Sequence, residues 1–164
     1  MYLFIFLMVA FCSIAATPTV QGRITSYGLF RFPSKPVFEN APGAPEGISG
    51  KLARAPILIS ETNRVPAKTG VRFGLTFEIT NMPVPDGVVK LTKIVRHPLM
   101  TKPDGTTSNQ YTSIEKFAAQ GGKVVGWTGY GLDLDYEIVT GDWEFEMQSE
   151  GKCICKQKFV VVKE

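Results

Sequence analysis

Few residues in this chain have the type and spacing to do chemistry. His97 is the single histidine, and it stands directly before Pro98. A serine or cysteine nucleophile needs a positioned base. His97 would have to be that base, yet no nucleophile elbow surrounds any serine, so a structural or merely exposed histidine is the simpler reading. Cys153 and Cys155 form a C-x-C pair. Soft thiolates select Cu(I) or Zn(II), with Met82, Met100 and His97 as further candidate ligands. Two thiolates supply only half of a closed zinc set. Asp133, Asp135 and Glu137 alternate with apolar residues and would form a carboxylate row for a hard cation. They lack the Gly-punctuated loop of calcium sites, which favours a solvated face. Among the aromatic residues, Trp143 belongs to an apolar alternation and is expected in the core. Trp127 and Tyr130, flanked by Gly126, Gly129 and Gly131, are the candidate recognition surface for a sugar or peptide.

The elements that carry these residues are short and extended. Val71 to Thr80 is the clearest: Val71, Phe73, Leu75, Phe77 and Ile79 alternate with Arg72, Gly74, Thr76, Glu78 and Thr80, the period of a strand with one buried face. A one-residue slip would expose five apolar side chains at roughly 1.5 to 3 kcal/mol each, so the register is strongly specified. Pro85-Asp86-Gly87 is turn chemistry, and Val88 to Arg96 alternates again. The two runs read as a hairpin with a long connection, ended by His97-Pro98. Arg23 to Phe32 predicts a first strand with a bulge or bend near Gly28. Residues 33–56, with repeated Pro and Gly, read as a long loop.

Further along, Pro103-Asp104-Gly105 marks a turn whose loop continues to Gln110. Tyr111 to Phe117 leans to strand, Gly121-Gly122 breaks the chain, and Lys123 to Trp127 is a strand. Leu132 to Glu137 reads as one more amphipathic extended piece. Trp143, Phe145 and Met147 alternate with Glu144, Glu146 and Gln148, and Glu150-Gly151 turns the chain into Lys152 to Val162. This is a closing hairpin, which needs a bulge if Ile154 and Phe159 both face the core. In a regular strand Cys153 and Cys155 share a face, about 6.7 Å apart with parallel Cβ vectors, so no internal disulfide is expected. Lys156 and Lys158 are charges of the kind that discourage edge pairing.

A chain of 164 residues, 44% apolar and 11% aromatic, supports one packed domain. Sixteen Gly and eleven Pro without a repeat belong to a turn-rich β architecture. The net charge of +3 is spread along the sequence, which gives neither a nucleic-acid groove nor a polybasic membrane patch. Met1 to Ala16 is apolar and uncharged and ends in small residues. That is the form of a secretory signal, with cleavage expected after Ala15 or Ala16 and the exit segment running to Gly22. It lacks the usual basic start and is shorter than the roughly 20 residues a membrane span requires. Phe11 before Cys12 argues against lipid attachment there. No stable membrane span is expected once it is removed.

Seven or eight short strands without a persuasive long helix predict an all-β, immunoglobulin-like antiparallel β-sandwich over residues 23–164. Three segments carry a resemblance: Ala67 to Ile79, Val95 to Gly105, and Tyr136 to Val161 with Gly141, Trp143, Gly151 and Phe159. Together they resemble an uncharacterised family of exported bacterial proteins built on a single immunoglobulin-like domain of unknown function. The resemblance implies that fold and export, and no catalytic residues. The expected protein is therefore a periplasmic or secreted, non-enzymatic module for binding or assembly. It needs no cofactor, and its partner is an unknown protein or glycan of the cell envelope rather than nucleic acid. Residues 33–56 and 98–110 are its expected contact loops. The alternative is a periplasmic copper- or zinc-handling protein that uses Cys153 and Cys155.

Overall fold

Four inward side chains on one strand, Phe73, Leu75, Phe77 and Ile79, are each at most 1% exposed, as their alternation predicts. They belong to a computed structural model that describes residues 19–35, 37–40, 48–51 and 54–163. The proposed signal segment up to Ala16, with Cys12, lies outside the described residues. Eleven strands occur among them: β1 Gln21–Arg31, β2 Val37–Asn40, β3 Ile48–Lys51, β4 Ile57–Ser60, β5 Arg64–Pro66, β6 Arg72–Thr80, β7 Gly87–Thr101, β8 Thr107–Gln120, β9 Lys123–Gly131, β10 Gly141–Ser149 and β11 Lys152–Val162. β2 and β3 form a separate antiparallel hairpin, so the segment expected as one long loop carries a strand pair.

The other nine strands form one sheet in the order β4-β1-β6-β9-β8-β7-β10-β11-β5. It folds over at β8 and β9, which share only two residue pairs beside the Gly121-Gly122 turn, Ala119 with Val124 and Gln120 with Lys123. The two halves, β4-β1-β6-β9 and β8-β7-β10-β11-β5, then face each other as a sandwich. Aromatic side chains fill the space between them. Phe73 packs edge-on against Trp143, Phe145 and Phe159 at ring separations of 5.2 to 5.4 Å, and Tyr27 meets Phe159 at 6.4 Å. Such edge contacts add about 0.5 to 1.5 kcal/mol each beyond the area they bury.

Several boundaries differ from the sequence expectation. β6 and β7 are not a hairpin. β6 pairs with β1 and β9, β7 pairs with β8 and β10, and the chain crosses between the two halves through residues 81–86. Met82 N–H donates to Gly122 O and Gly122 N–H to Pro85 O, tying that crossing to the β8–β9 turn. Alternation fixes which side of a strand is buried but is silent on its partner. β7 also continues past His97-Pro98 to Thr101, with its pairing to β8 interrupted between Arg96 and Met100. β8 begins at Thr107, inside the segment read as loop. β1 is irregular twice, between Ile24 and Ser26 against β6 and between Leu29 and Phe30 against β4, the second beside the Gly28 position expected. The closing hairpin is as read: Met147 pairs with Cys155 and Gln148 with Cys153, leaving Ile154 as the bulged residue.

Candidate functional site

The interruption at His97-Pro98 opens the outer face of the β8-β7-β10-β11 half. Proline has no N–H to continue a ladder, and β7 and β10 pair only from Arg96 and Glu144 onwards. A cleft of about 310 Å³ lies there, lined by Arg96, His97, Asn109, Gln110, Asp142, Trp143, Glu144 and Lys158. Its floor is set by register, because Gln110, Arg96, Glu144 and Lys158 are successive cross-strand partners on four strands. The side chains are held by an ion network. The Arg96 Nη1 donates to Glu144 Oε1 at 2.9 Å and Glu146 Oε2 at 2.7 Å. Lys156 Nζ lies 3.2 Å from Glu144 and 3.5 Å from Glu146. The amide of Gln148 and then the guanidinium of Arg96 hold the Glu146 carboxyl below the ordinary carboxylate range. The bond to Glu146 in turn raises Arg96. The cleft therefore offers amides and fixed charges of both signs on a rigid four-strand base, chemistry suited to binding a polar chain.

His97 lines this cleft, yet it is only 5% exposed. Its ring lies 5.1 Å from that of Trp143 and 6.4 Å from that of Tyr111. Nδ1 is 2.8 Å from Pro98 O, and Nε2 is buried without a partner. Burial lowers its pKa, against a smaller opposite effect of the Pro98 carbonyl. A neutral imidazole donating from Nδ1 and stacked on tryptophan is a core histidine, in keeping with the sequence reading.

A second group of polar residues was not anticipated. Lys93 is 6% exposed between the sheet halves. Its Nζ donates to Gly129 O at 2.7 Å, lies 3.3 Å from Glu115 Oε1 and sits 5.5 Å from the Tyr111 ring centre. Burial alone pulls this ammonium's pKa down, but Tyr111 and Glu115 outweigh it and the pKa is raised. A lysine held charged in this way is a clamp rather than a nucleophile. The signal was present in the sequence, since Lys93 shares parity with the buried Leu91 and Val95.

The remaining candidates are dispersed. Leu132 to Glu137 is not extended, since Asp135–Glu137 is a single 3₁₀ turn. Glu137 points inward, 5% exposed, accepting from Tyr130 Oη at 2.6 Å and from the backbone N–H groups of Asp133 and Leu134 at 2.9 Å. Asp133 instead pairs with Arg72, so there is no carboxylate row. Tyr130 and Trp127 lie on opposite faces of β9: Tyr130 is in the core, 5.1 Å from Trp143. Trp127 stands on the outer face against Phe30 and Phe32, at 6.0 and 5.4 Å. They do not form one recognition surface. The bulge at Ile154 likewise undoes the shared face expected for the C-x-C pair. Cys153 is exposed and Cys155 buried; burial first, and then Cys153, push the Cys155 thiol up to about 12. Among the described residues no three His, Cys, Asp or Glu side chains gather where a metal could be held, and no helix is long and apolar enough to cross a membrane.

The strand order and the aromatic filling between its halves define an immunoglobulin-like all-β protein. The chain belongs to the family described as domain of unknown function DUF3859, whose model matches residues 20–161. An immunoglobulin-like protein from Pseudomonas aeruginosa, PA1606, is similar over 90% of this chain and 100% of its own, with 21% identity and a TM-score of 0.61, a likeness of fold. A structure of the Pseudomonas fluorescens alkylpurine DNA glycosylase AlkC bound to DNA with an abasic site analog matches 60% of this chain and 27% of its own. At 11% identity and a TM-score of 0.41 that likeness carries no argument. No curated protein matches the chain.

Proposed function

We propose that this protein is an exported, non-enzymatic binding or assembly module of the bacterial cell envelope, working in the periplasm or outside the cell. It would hold a protein or glycan partner in the cleft beside His97-Pro98. The observation that carries the reading is the fixed Gln110–Arg96–Glu144–Lys158 row beneath that cleft. Asn109 and Gln110 come from the segment expected to make contacts. The apolar stretch Met1 to Ala16 supports export. The copper- or zinc-handling alternative has lost its geometric support, because the two thiols face opposite sides of β11.

Two experiments test the proposal. A photo-crosslinker placed at Asn109 should capture one envelope component from living cells. Gln110→Ala combined with Lys158→Ala, which leaves the Arg96 bonds to Glu144 and Glu146 in place, should abolish that capture while leaving the thermal midpoint within a few degrees. An unchanged capture pattern in the double variant would sink the cleft reading. A reporter enzyme active only outside the cytoplasm, fused at the C-terminus, should require residues 1–22 for activity; activity without them would sink the export reading.

A further inference from the structure

We infer, on the cleft reading above, that the ligand of the cleft beside His97-Pro98 is a neutral glycan, held through the side chains of Asn109, Gln110 and Asp142. The cleft is electrically balanced. Arg96 and Lys158 are the cations that line it, and Asp142 and Glu144 are the anions, so the lining sums to zero. His97 adds no charge, because burial lowers its pKa and keeps the imidazole neutral. Glu144 is already engaged: Arg96 Nη1 lies 2.9 Å from it, Lys156 Nζ 3.2 Å and Lys158 Nζ 4.0 Å. Drawing in an acidic or basic polymer takes clustered charge of one sign, and this lining has none.

The groups left to meet a ligand are of both hydrogen-bonding kinds. Asn109, Gln110 and Asp142 are exposed, and their side chains have no hydrogen bond or ion pair among the described residues. Asn109 and Gln110 rise from β8 and Asp142 from β10, on either side of the point where β7 leaves its ladders. An amide offers two donors and an acceptor, whereas a carboxylate only accepts. A sugar hydroxyl both gives and receives, so neighbouring hydroxyls of one ring can satisfy an amide and Asp142 together. Trp143 is wholly buried and presents no face for stacking, so hydrogen bonds hold the ligand and its affinity is weak.

A peptide is the rival ligand, and peptides commonly join an open sheet by adding a strand. The opening between β7 and β10 is shut to one. Pro98 stands across it, with its Cγ 3.0 Å from where a Cβ at Gly141 would lie, and proline has no N–H to pair. The cleft volume of about 310 Å³ is at the small end for small-molecule sites and suits a short run of sugar units. A folded protein partner would need a patch of roughly 800 Å² on this side.

Amide NMR spectra of the purified protein, titrated to about 20 mM with maltotriose, cellotriose or chitotriose, reach the range in which weak binding shows. At least one of these neutral sugars should shift the amides of residues 109, 110 and 142. Trigalacturonate, a trisaccharide of the same size but acidic, and trialanine should bind at least about tenfold more weakly. Asn109→Ala and Asp142→Ala should each weaken the best sugar about fivefold or more, the loss of one hydrogen bond. Both side chains are in water, so the thermal midpoint should stay unchanged. The affinity should be the same at low and high salt, as for an uncharged ligand. No shift with any of the neutral sugars overturns the inference, as does tighter binding of trigalacturonate or trialanine, or an affinity that salt abolishes. If the sugars fail while the crosslinker at Asn109 still captures an envelope protein, the glycan falls and the cleft reading stands; if both fail, both fall.

Discussion

Lys93 Nζ reaches across the opening between β8 and β9 and donates to the carbonyl of Gly129 at 2.7 Å. Those strands share only two residue pairs, so this ammonium and the nearby Glu115 carboxylate join the sheet halves where the ladder does not. Removing one member of such a pair strands the other. Lys93→Met should cost about 2 to 4 kcal/mol, measured by urea unfolding. Pairing it with Glu115→Leu should recover much of that loss, since a well-packed apolar pair often replaces a buried ion pair at little cost. Equal losses in the single and double variants would refute the clamp.

Glu146 gives the cleft a pH dependence with a definite sign. The Gln148 amide and then Arg96 lower its pKa in the folded state from the ordinary 4.5. The contribution is therefore fully present above about pH 5 and is lost as the pH falls through the lowered folded value. Glu146→Gln should flatten the acid limb of a plot of stability against pH and cost about 1 kcal/mol at pH 7. An acid limb with unchanged slope would show that other carboxylates govern it.

How much of this was legible beforehand depends on the kind of information each residue carries. Phe73 to Ile79 and Trp143 to Met147 announce their strands because hydrophobic side chains at every second position have one low-energy arrangement. The Ile154 bulge was legible too, from an odd spacing that a regular strand could not satisfy. Partnership was not legible: nothing in Val88 to Arg96 distinguishes pairing with β6 from crossing to the other sheet half. The 132–137 alternation misled because Glu137 is occupied by Tyr130 and two backbone N–H groups, a tertiary demand that overrides the local pattern. In the cleft, Asn109 and Gln110 fell within a segment singled out for contact. The Gln110–Arg96–Glu144–Lys158 row needed the cross-strand register of four strands, and that register is set by long-range packing.

The bulge at Ile154 makes two chemically identical thiols unequal. Iodoacetamide at pH 8 should alkylate Cys153 in the folded protein and spare Cys155, which is buried and has its pKa near 12. Cys155 should react only at the rate of unfolding. Mass spectrometry of the 152–163 peptide distinguishes these outcomes, and comparable rates for both thiols would mean that they share an exposed face. A tight Cu(I) site that requires both thiols would restore the metal reading on the same grounds.

Gly28, Gly74 and Gly129 lie side by side in register across β1, β6 and β9, and all three exclude any side chain for reasons of space, Gly28 because a Cβ there would run into Ser60 O. A Cβ at Gly74 would run into Thr128 O and come within 2.6 Å of Gly129 Cα. One at Gly129 would run into Phe73 O and lie 2.5 Å from Cζ2 of Trp127. Backbone cannot yield as a side-chain end can, so the sheet must shift or separate there. Gly74→Ala and Gly129→Ala should each destabilise by about 3 kcal/mol or more, the range of overpacking and backbone strain. Gly70 is the control: it has a φ of +86° and nothing within 4 Å of its Cβ position, so Gly70→Ala should cost about 1 kcal/mol from backbone conformation alone. Thermal unfolding of the three variants should therefore separate Gly70 from the other two. Equal, small losses at all three would mean that β6 and β9 are not held as close as this row requires.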